Sequence, residues 1–296
     1  MVESCILVRY GEVAVKSARK RPYFERLFVN SIREALLAND ISFDRIENLG
    51  KMYAVFTDDV DESARILSFV PGIDSYSIAT RFFFSTYDEL LDSACRIASS
   101  HVSSSTFRVT AKRCGKHSFS SMKLASDLGS CLYPFSKGVN LSDPDMTVFV
   151  EVRNSFCYVF YEYRSALGGL PAASTGSSLM LFSGGLDSPV AAFEMLKRGC
   201  ALDFVFVNMV GDSMFSSVSK VYDFLISRHS YNYSPRFFHI DGRSLMSFLK
   251  NNVPERLRQI AFKMVLYKCC SYLAEQNGYS SFITGEALSQ KSSQTL

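Results

Sequence analysis

Ser183, Gly184, Gly185, Asp187 and Ser188 carry the densest chemistry in the chain, within the run Leu179-Met180-Leu181-Phe182-Ser183-Gly184-Gly185-Leu186-Asp187-Ser188-Pro189. Two glycines let a backbone turn sharply and approach a ligand with no Cβ in the way. The two hydroxyls can donate hydrogen bonds, and the carboxylate can orient a metal ion or the loop itself. Such a set suits an anion, above all a pyrophosphate. Binding one calls for a row of N–H groups at a helix start, where the helix dipole is positive. The apolar residues ahead of the loop read as a buried strand that delivers Leu181 and Phe182 to the ligand. Pro189 suits a first helical turn, where a missing N–H costs nothing. The bland alternative is a Gly-Gly turn with an ordinary cap, but the flanking strand and helix favour a binding loop. The Walker pattern Gly-x4-Gly-Lys-[Ser/Thr] occurs nowhere in the chain.

Elements of this kind need a sizeable domain behind them. The chain has 296 residues, 47% of them hydrophobic, and a mean hydropathy of +0.06. These values fit about two globular domains, with a third small one allowed. No apolar run reaches the length of a membrane-spanning helix, and Glu3, Arg9 and Glu12 break any signal-peptide core, so a cytoplasmic protein is expected. The eight cysteines, at 5, 95, 114, 131, 157, 200, 269 and 270, show no Cys-x-x-Cys and no regular spacing, and most of them read as buried reduced thiols. Cys114, between Arg113 and Lys116, is the thiol expected to react most readily. His101, His117, His229 and His239 show no metal-ligand spacing, and no metal ligands are assigned.

Net charge is only +3, so bulk charge does not announce a nucleic-acid binder. The distribution says more. Residues 93–126 contain no Asp or Glu but do contain Arg96, Arg108, Lys112, Arg113, Lys116 and Lys123. A solvated face usually alternates sign, so this run reads as a surface that tracks phosphates. Lys16, Arg19, Lys20 and Arg21 form a second basic cluster, followed by Tyr23 and Phe24.

Along the chain, periodicity predicts strands at 4–9, 43–48 and 52–57 around a helix at 22–38, a small α+β module over residues 1–60. A second α+β module spans 61–168, with strands at 75–84, 106–112, 146–152 and 156–162 and helices at 86–99 and 120–133. The Gly/Ser/Pro-rich stretch from Gly168 to Ser178 reads as a linker. From 169 to 296 strands and helices alternate: 178–182, 188–199, 202–208, 215–229, 236–240, 243–250, 255–276 and 281–284. That order predicts an α/β doubly wound parallel sheet with the loop at the carboxyl end of its first strand.

The loop resembles the PP-loop of ATP pyrophosphatases, and the resemblance extends further. Ile6-Leu7-Val8-Arg9-Tyr10-Gly11-Glu12 with Phe24-Glu25 is similar to a ferredoxin-like opening segment. Phe107-Arg108-Val109-Thr110-Ala111-Lys112-Arg113, Asp143-Pro144-Asp145 and Val150-Glu151-Val152-Arg153 resemble a THUMP domain. Gly168-Gly169-Leu170-Pro171, the loop itself, Thr284-Gly285-Glu286-Ala287-Leu288 and Ser293-Gln294-Thr295-Leu296 resemble a PP-loop domain. In this order they resemble the tRNA 4-thiouridine synthetase (tRNA sulfurtransferase) family of the ThiI type.

The resemblance implies ATP-dependent thiolation of a tRNA uridine, at position eight in the family. Uracil O4 would be adenylated with release of pyrophosphate, and sulfur would then displace AMP. Ser183, Gly184, Gly185 and Ser188 would hold pyrophosphate, with Leu181, Phe182, Gly285 and Gln294 also at the ATP. Asp187 would organise Mg²⁺ or the activation geometry, and Lys263 or Lys268 would neutralise developing charge. Implied partners are tRNA, a sulfur donor (a cysteine desulfurase or another persulfide or sulfide source) and a second copy of the chain as a homodimer. A link to thiamine biosynthesis comes with the family.

Departures accompany the match. The family's persulfide cysteine lies beyond the point where this sequence ends, and no cysteine here matches it, so adenylation without completed thiolation is expected of the isolated chain. Val207–Asp212 departs from the family's His/aromatic-rich loop, which puts adenine contacts there in question. Two other readings remain open: a tRNA-binding protein with an incomplete or inactive nucleotide domain, and a PP-loop enzyme acting on another acceptor. The acid-free run counts against a small-molecule acceptor.

Overall fold

The computed structural model describes residues 2–286, which form two compact units. The first comprises the chain up to Tyr10, Asn39–Ser68 and Asp74–Ala166; the second comprises Gly11–Ala38, Phe69–Ile73 and the chain from Leu167 onward.

The first unit is built on one nine-stranded mixed sheet. Its strands are β1 (Val2–Tyr10), β2 (Arg45–Asn48), β3 (Met52–Phe56), β4 (Ile73–Phe83), β5 (Thr106–Cys114), β6 (Gly138–Val139), β7 (Met146–Arg153), β8 (Phe156–Phe160) and β9 (Arg164–Ser165). The order is β2-β3-β1-β4-β8-β7-β5-β6, with β9 paired to β4. The two modules expected from the sequence therefore share one continuous sheet. β5 runs parallel to β6 and β7, while the other pairings for which registers are defined are antiparallel.

Alternation along β8 shows why this sheet reads as apolar on both faces. Cys157 and Val159 enter one core with Phe107, Leu124 and Val150. Tyr158 and Phe160 enter another with Leu7, Met52 and Ala54. Helices α2 (Val60–Leu67), α3 (Tyr87–Val102) and α4 (Ser121–Leu132) start where side chains satisfy their first N–H groups. Asp59 caps α2, Ser120 caps α4, and Thr86 with Glu89 forms a capping box on α3. Cys95 on α3 and Cys131 on α4 are joined by a disulfide, which corrects the expectation of reduced thiols at these two positions. Their partnership spans 36 positions and arises only when the two helices pack side by side, so spacing in the sequence does not announce it.

The second unit contains helix α1 (Arg21–Leu37) and a four-stranded parallel sheet of β10 (Ser177–Leu181), β11 (Ala201–Asn208), β12 (Phe237–Asp241) and β13 (Phe282–Thr284). The order is β12-β11-β10-β13, all parallel. Between strands run α5 (Asp187–Lys197), α6 (Asp212–His229), α7 (Arg243–Asn252) and α8 (Glu255–Asn277). Met180, Phe204 and Phe206 pack with Ala192 and Leu196 of α5 and Val218 and Tyr222 of α6. Leu179 and Val205 face the other way, against Cys270 and Leu273 of α8. Helices thus cover both faces, as a doubly wound sheet requires.

The stretch expected to be a linker is packed structure. Leu170 and Ala172 are buried, and Leu170 N–H donates to the Lys197 carbonyl at 3.0 Å. Gly169 has φ +81°, and a Cβ there would lie 2.0 Å from that carbonyl oxygen, so the close approach needs glycine. Glycine and serine mark tight packing here where composition alone suggests a tether.

Candidate nucleotide site and basic surfaces

β10 lies where the strand order reverses, with β11 on one side and β13 on the other. A crevice at the carboxyl ends of the strands is the ligand position in such sheets. The loop after β10 begins at Phe182, which is buried, and runs into α5 at Asp187. The helix starts two residues ahead of Pro189, which occupies its first turn, where proline is tolerated. Ser188 Oγ accepts the Ser183 N–H at 2.9 Å and lies 2.9 Å from Ser183 Oγ, and Ser183 Oγ accepts Gly185 N–H. This knot fixes the loop's curvature. No side chain caps the α5 N-terminus, which leaves its first turn suited to an anion.

A cavity of about 340 Å³ opens beside the loop. Leu181, Phe182, Ser183, Gly184, Ser188 and Gly285 line it, joining residues expected at the nucleotide. Gly185 and Asp187 sit on the exposed side of the loop, outside that lining. Gln294, with the rest of the Ser-Gln-Thr-Leu segment, lies outside the described residues.

The cavity's far wall is a stripe on α8: Gln259, Phe262, Lys263, Leu266 and Tyr267. Spacings of three and four place them on one helix face. Lys263 is among them, whereas Lys268, five positions on, falls on an exposed part of α8. Of the two lysines expected at the chemistry, the structure places only Lys263 in the cavity lining. Its Nζ lies 2.7 Å from Glu286 Oε1, and Tyr267 OH donates to the same oxygen at 2.6 Å. The third wall comes from Phe206, Val207, Met209, Val210 and Met214. Met209 and Val210 lie in the segment that departs from the expected His/aromatic pattern, and Asn208 shapes it by accepting N–H groups of Val210 and Gly211 at 3.2 and 3.0 Å. Met214 closes over Gly184, where a Cβ would lie 2.6 Å from its sulfur. Sequence reading missed Gln259, Phe262, Tyr267, Met214 and Glu286. The helical stripe from Gln259 to Tyr267 is the signal that finds most of them.

Among the described residues no group of three or more His, Cys, Asp or Glu side chains gathers to hold a metal ion. A single carboxylate at the loop, Asp187, matches the chemistry of Mg²⁺ that arrives on phosphates and keeps several waters.

The basic residues divide between the units. In the second, Arg19 and Lys20 are exposed, and Lys16 Nζ lies 4.9 Å from the centroid of the Phe24 ring. Arg21 donates to the Ala14 carbonyl at 2.9 Å, so its guanidinium secures the preceding turn. In the first, Lys112, Arg113 and Cys114 line a groove of about 870 Å³ with Lys51 and Arg153. Lys116 and His117 line a neighbouring one of about 560 Å³. Arg108 is half-buried, its Nε donating to Thr147 Oγ1 at 3.1 Å.

Burial raises the thiols of Cys5 and Cys270 to about 12 and pushes those of Cys157, Cys200 and Cys269 up as well. Cys114 is the exposed free cysteine.

A doubly wound parallel domain with a Gly-Gly loop and an uncapped helix start at its switch point stands in one chain with a mixed-sheet unit bearing basic grooves, the build of a two-part α/β and α+β protein. The comparisons agree in order along the chain. The ThiI ferredoxin-like domain matches residues 5–77, the THUMP domain 84–162, and the family described as Thiamine biosynthesis protein (ThiI) 173–296. The chain is 35% identical over 287 residues to a probable tRNA sulfurtransferase of Saccharolobus solfataricus, covering 97% of this chain and 75% of that protein. It is 34% identical over 290 residues to a tRNA sulfurtransferase of Desulfurococcus amylolyticus, covering 97% and 59%. The chain belongs to the tRNA sulfurtransferase family, a family of enzymes. A crystal structure described as a 4-thiouridine synthetase–RNA complex with bound ATP shares the fold, at a TM-score of 0.84 and 24% identity over 99% of this chain and 76% of that one.

Proposed function

We propose that the chain activates a tRNA uridine for thiolation, at position eight as in its family, by adenylating uracil O4 with ATP and releasing pyrophosphate. The observation that carries this reading is the Ser183–Ser188 knot at an uncapped helix start, facing Lys263 across one cavity. A carbonyl oxygen leaves poorly, and converting it to an adenylate supplies a leaving group that sulfur can displace. The protein's part is positioning and charge stabilisation.

In this reading Ser183, Gly184, Gly185 and Ser188 hold the departing pyrophosphate against the first turn of α5. Lys263 neutralises charge at the α-phosphate. Asp187 would hold Mg²⁺, which supplies charge neutralisation on the phosphates. Arg19, Lys20, Lys112, Arg113 and Lys116 offer cations to the tRNA backbone, and recognition would follow RNA shape more than base edges. Sulfur comes from a cysteine desulfurase or another persulfide or sulfide source, and the working form is a homodimer.

Incubating the protein with ATP, Mg²⁺ and unmodified tRNA while following pyrophosphate tests the reading. Release that depends on tRNA and falls at least about a hundredfold in Asp187→Ala, with the fold retained, is the expected result. Binding of tRNA without release would instead mark an RNA-binding protein that lacks turnover.

A further inference from the structure

Adenylation at O4 has a proton to dispose of. Uracil carries hydrogen on N3, and the O4-linked product has an N3=C4 double bond, so the proton must leave as the O4–phosphorus bond forms. Its acceptor must lie within hydrogen-bond reach of the bound base.

The titratable side chains among the described residues lining the cavity are Lys263, Tyr267 and Glu286. A charged ammonium has no lone pair to offer. Burial, and then the neighbouring carboxylate, push the Tyr267 hydroxyl up to about 12, and it donates its own proton to Glu286. Asp187 lies outside the lining, on the first turn of α5. Glu286 remains as the carboxylate in the cavity, about one-third exposed, at the end of β13 beside the phosphate loop. We propose, on the basis of the function above, that Glu286 is the general base of the reaction, taking the uracil N3 proton while Lys263 beside it neutralises charge at the α-phosphate.

The step balances. The N3–H electron pair becomes the second N3–C4 bond, and the C4=O4 pair attacks the α-phosphorus. The bond from that phosphorus to the bridging oxygen breaks, and pyrophosphate leaves with its electrons. The proton on Glu286 then passes to water.

The local electrostatics keep this carboxylate ionised. Burial works to raise the Glu286 carboxyl, but hydrogen bonds from Lys263 and Tyr267 outweigh it and the net shift is downward. The group is therefore ionised and able to accept a proton. Phosphate oxygens compete for the Lys263 ammonium, and as they draw it away the carboxylate's proton affinity rises. Base strength thereby increases when nucleotide is present.

Glu286→Gln keeps an acceptor for Tyr267 but cannot take a proton. In the full chain, ATP affinity by titration calorimetry is expected to stay within about threefold, while tRNA-dependent pyrophosphate release falls about a hundredfold or more. That deficit should shrink by about tenfold on a transcript carrying 5-fluorouridine, whose N3 proton leaves more readily. Lost packing alone would slow both transcripts equally, and that result, or turnover within about threefold of the parent, overturns the proposal. If Glu286→Gln does not fold, Glu286→Asp on the two transcripts decides in the same way. A parent chain that releases no pyrophosphate strikes the proposed function, and this inference with it; an active parent with an unaffected variant strikes the inference alone.

Discussion

Gly285 presses directly on Ser188: a Cβ at Gly285 would lie 2.5 Å from both the N and Cα of Ser188. The end of β13 is thus seated on the first turn of α5, and the second motif of the domain acts first by buttressing the loop. Gly285→Ala must push these backbones apart, at a cost of about 1–3 kcal/mol of stability. ATP affinity should weaken at least about tenfold, since the displaced turn is the one proposed to receive phosphate. For stability the contrast is Gly185→Ala, whose Cβ would meet only Ser183 Oγ at 3.6 Å within the protein. Thermal melting should show the loss in Gly285→Ala and not in Gly185→Ala, and nucleotide titration of Gly285→Ala should show the weakened affinity.

The loop from Ser183 to Ser188 was legible in the sequence because its determinants are local: an apolar strand, two glycines, two hydroxyls and a helix start. Lys263 and Lys268 were not separable by charge. Only the rotation of α8 brings one to the cavity, since five helical positions turn a side chain well off the face. The two-residue strands β6 and β9 are too short to leave a pattern. The joining of two expected modules into one sheet depends on β1 lying beside β4, a long-range pairing with no local signature. Glu286 stood inside a quoted motif, yet its role emerges from its contacts with Lys263 and Tyr267.

His229 predicts a pH dependence of the second unit. The ring is buried, and burial lowers its pKa below the ordinary 6.5, partly offset by Nδ1–H donating to the Phe69 carbonyl at 3.0 Å. The folded chain therefore keeps the ring neutral where the unfolded chain takes up a proton. Its stabilising contribution is fully present above about pH 7 and is lost as pH falls through and below about 6.5. Chemical denaturation at about pH 7.5 and about pH 5.5 should show a fall in stability that His229→Gln lessens.

Thiol chemistry should single out Cys114. It is exposed, while burial raises the other five free thiols. Without reductant, brief alkylation followed by peptide mapping should label Cys114 first and leave Cys95 and Cys131 unlabelled. Cys95→Ser should lower the stability of the first unit by about 2–4 kcal/mol, the typical effect of removing a disulfide.

RNA affinity should fall steeply with salt, as expected when cations displace condensed counterions. Replacing both Arg113 and Lys116 with Gln should reduce the slope of log affinity against log salt by about 1–2. Arg21→Gln should change the slope little and stability more, because its guanidinium is committed to the Ala14 carbonyl.

The central claim is that uracil O4 leaves on AMP. Unmodified tRNA carrying a heavy oxygen isotope at uracil O4, incubated with this protein, ATP, Mg²⁺ and inorganic sulfide, tests it most directly. Mass spectrometry of the released AMP should show the heavy oxygen in its phosphate, in step with pyrophosphate formation, and Asp187→Ala should produce neither. AMP that forms without the heavy oxygen, while the tRNA is thiolated, would contradict the account.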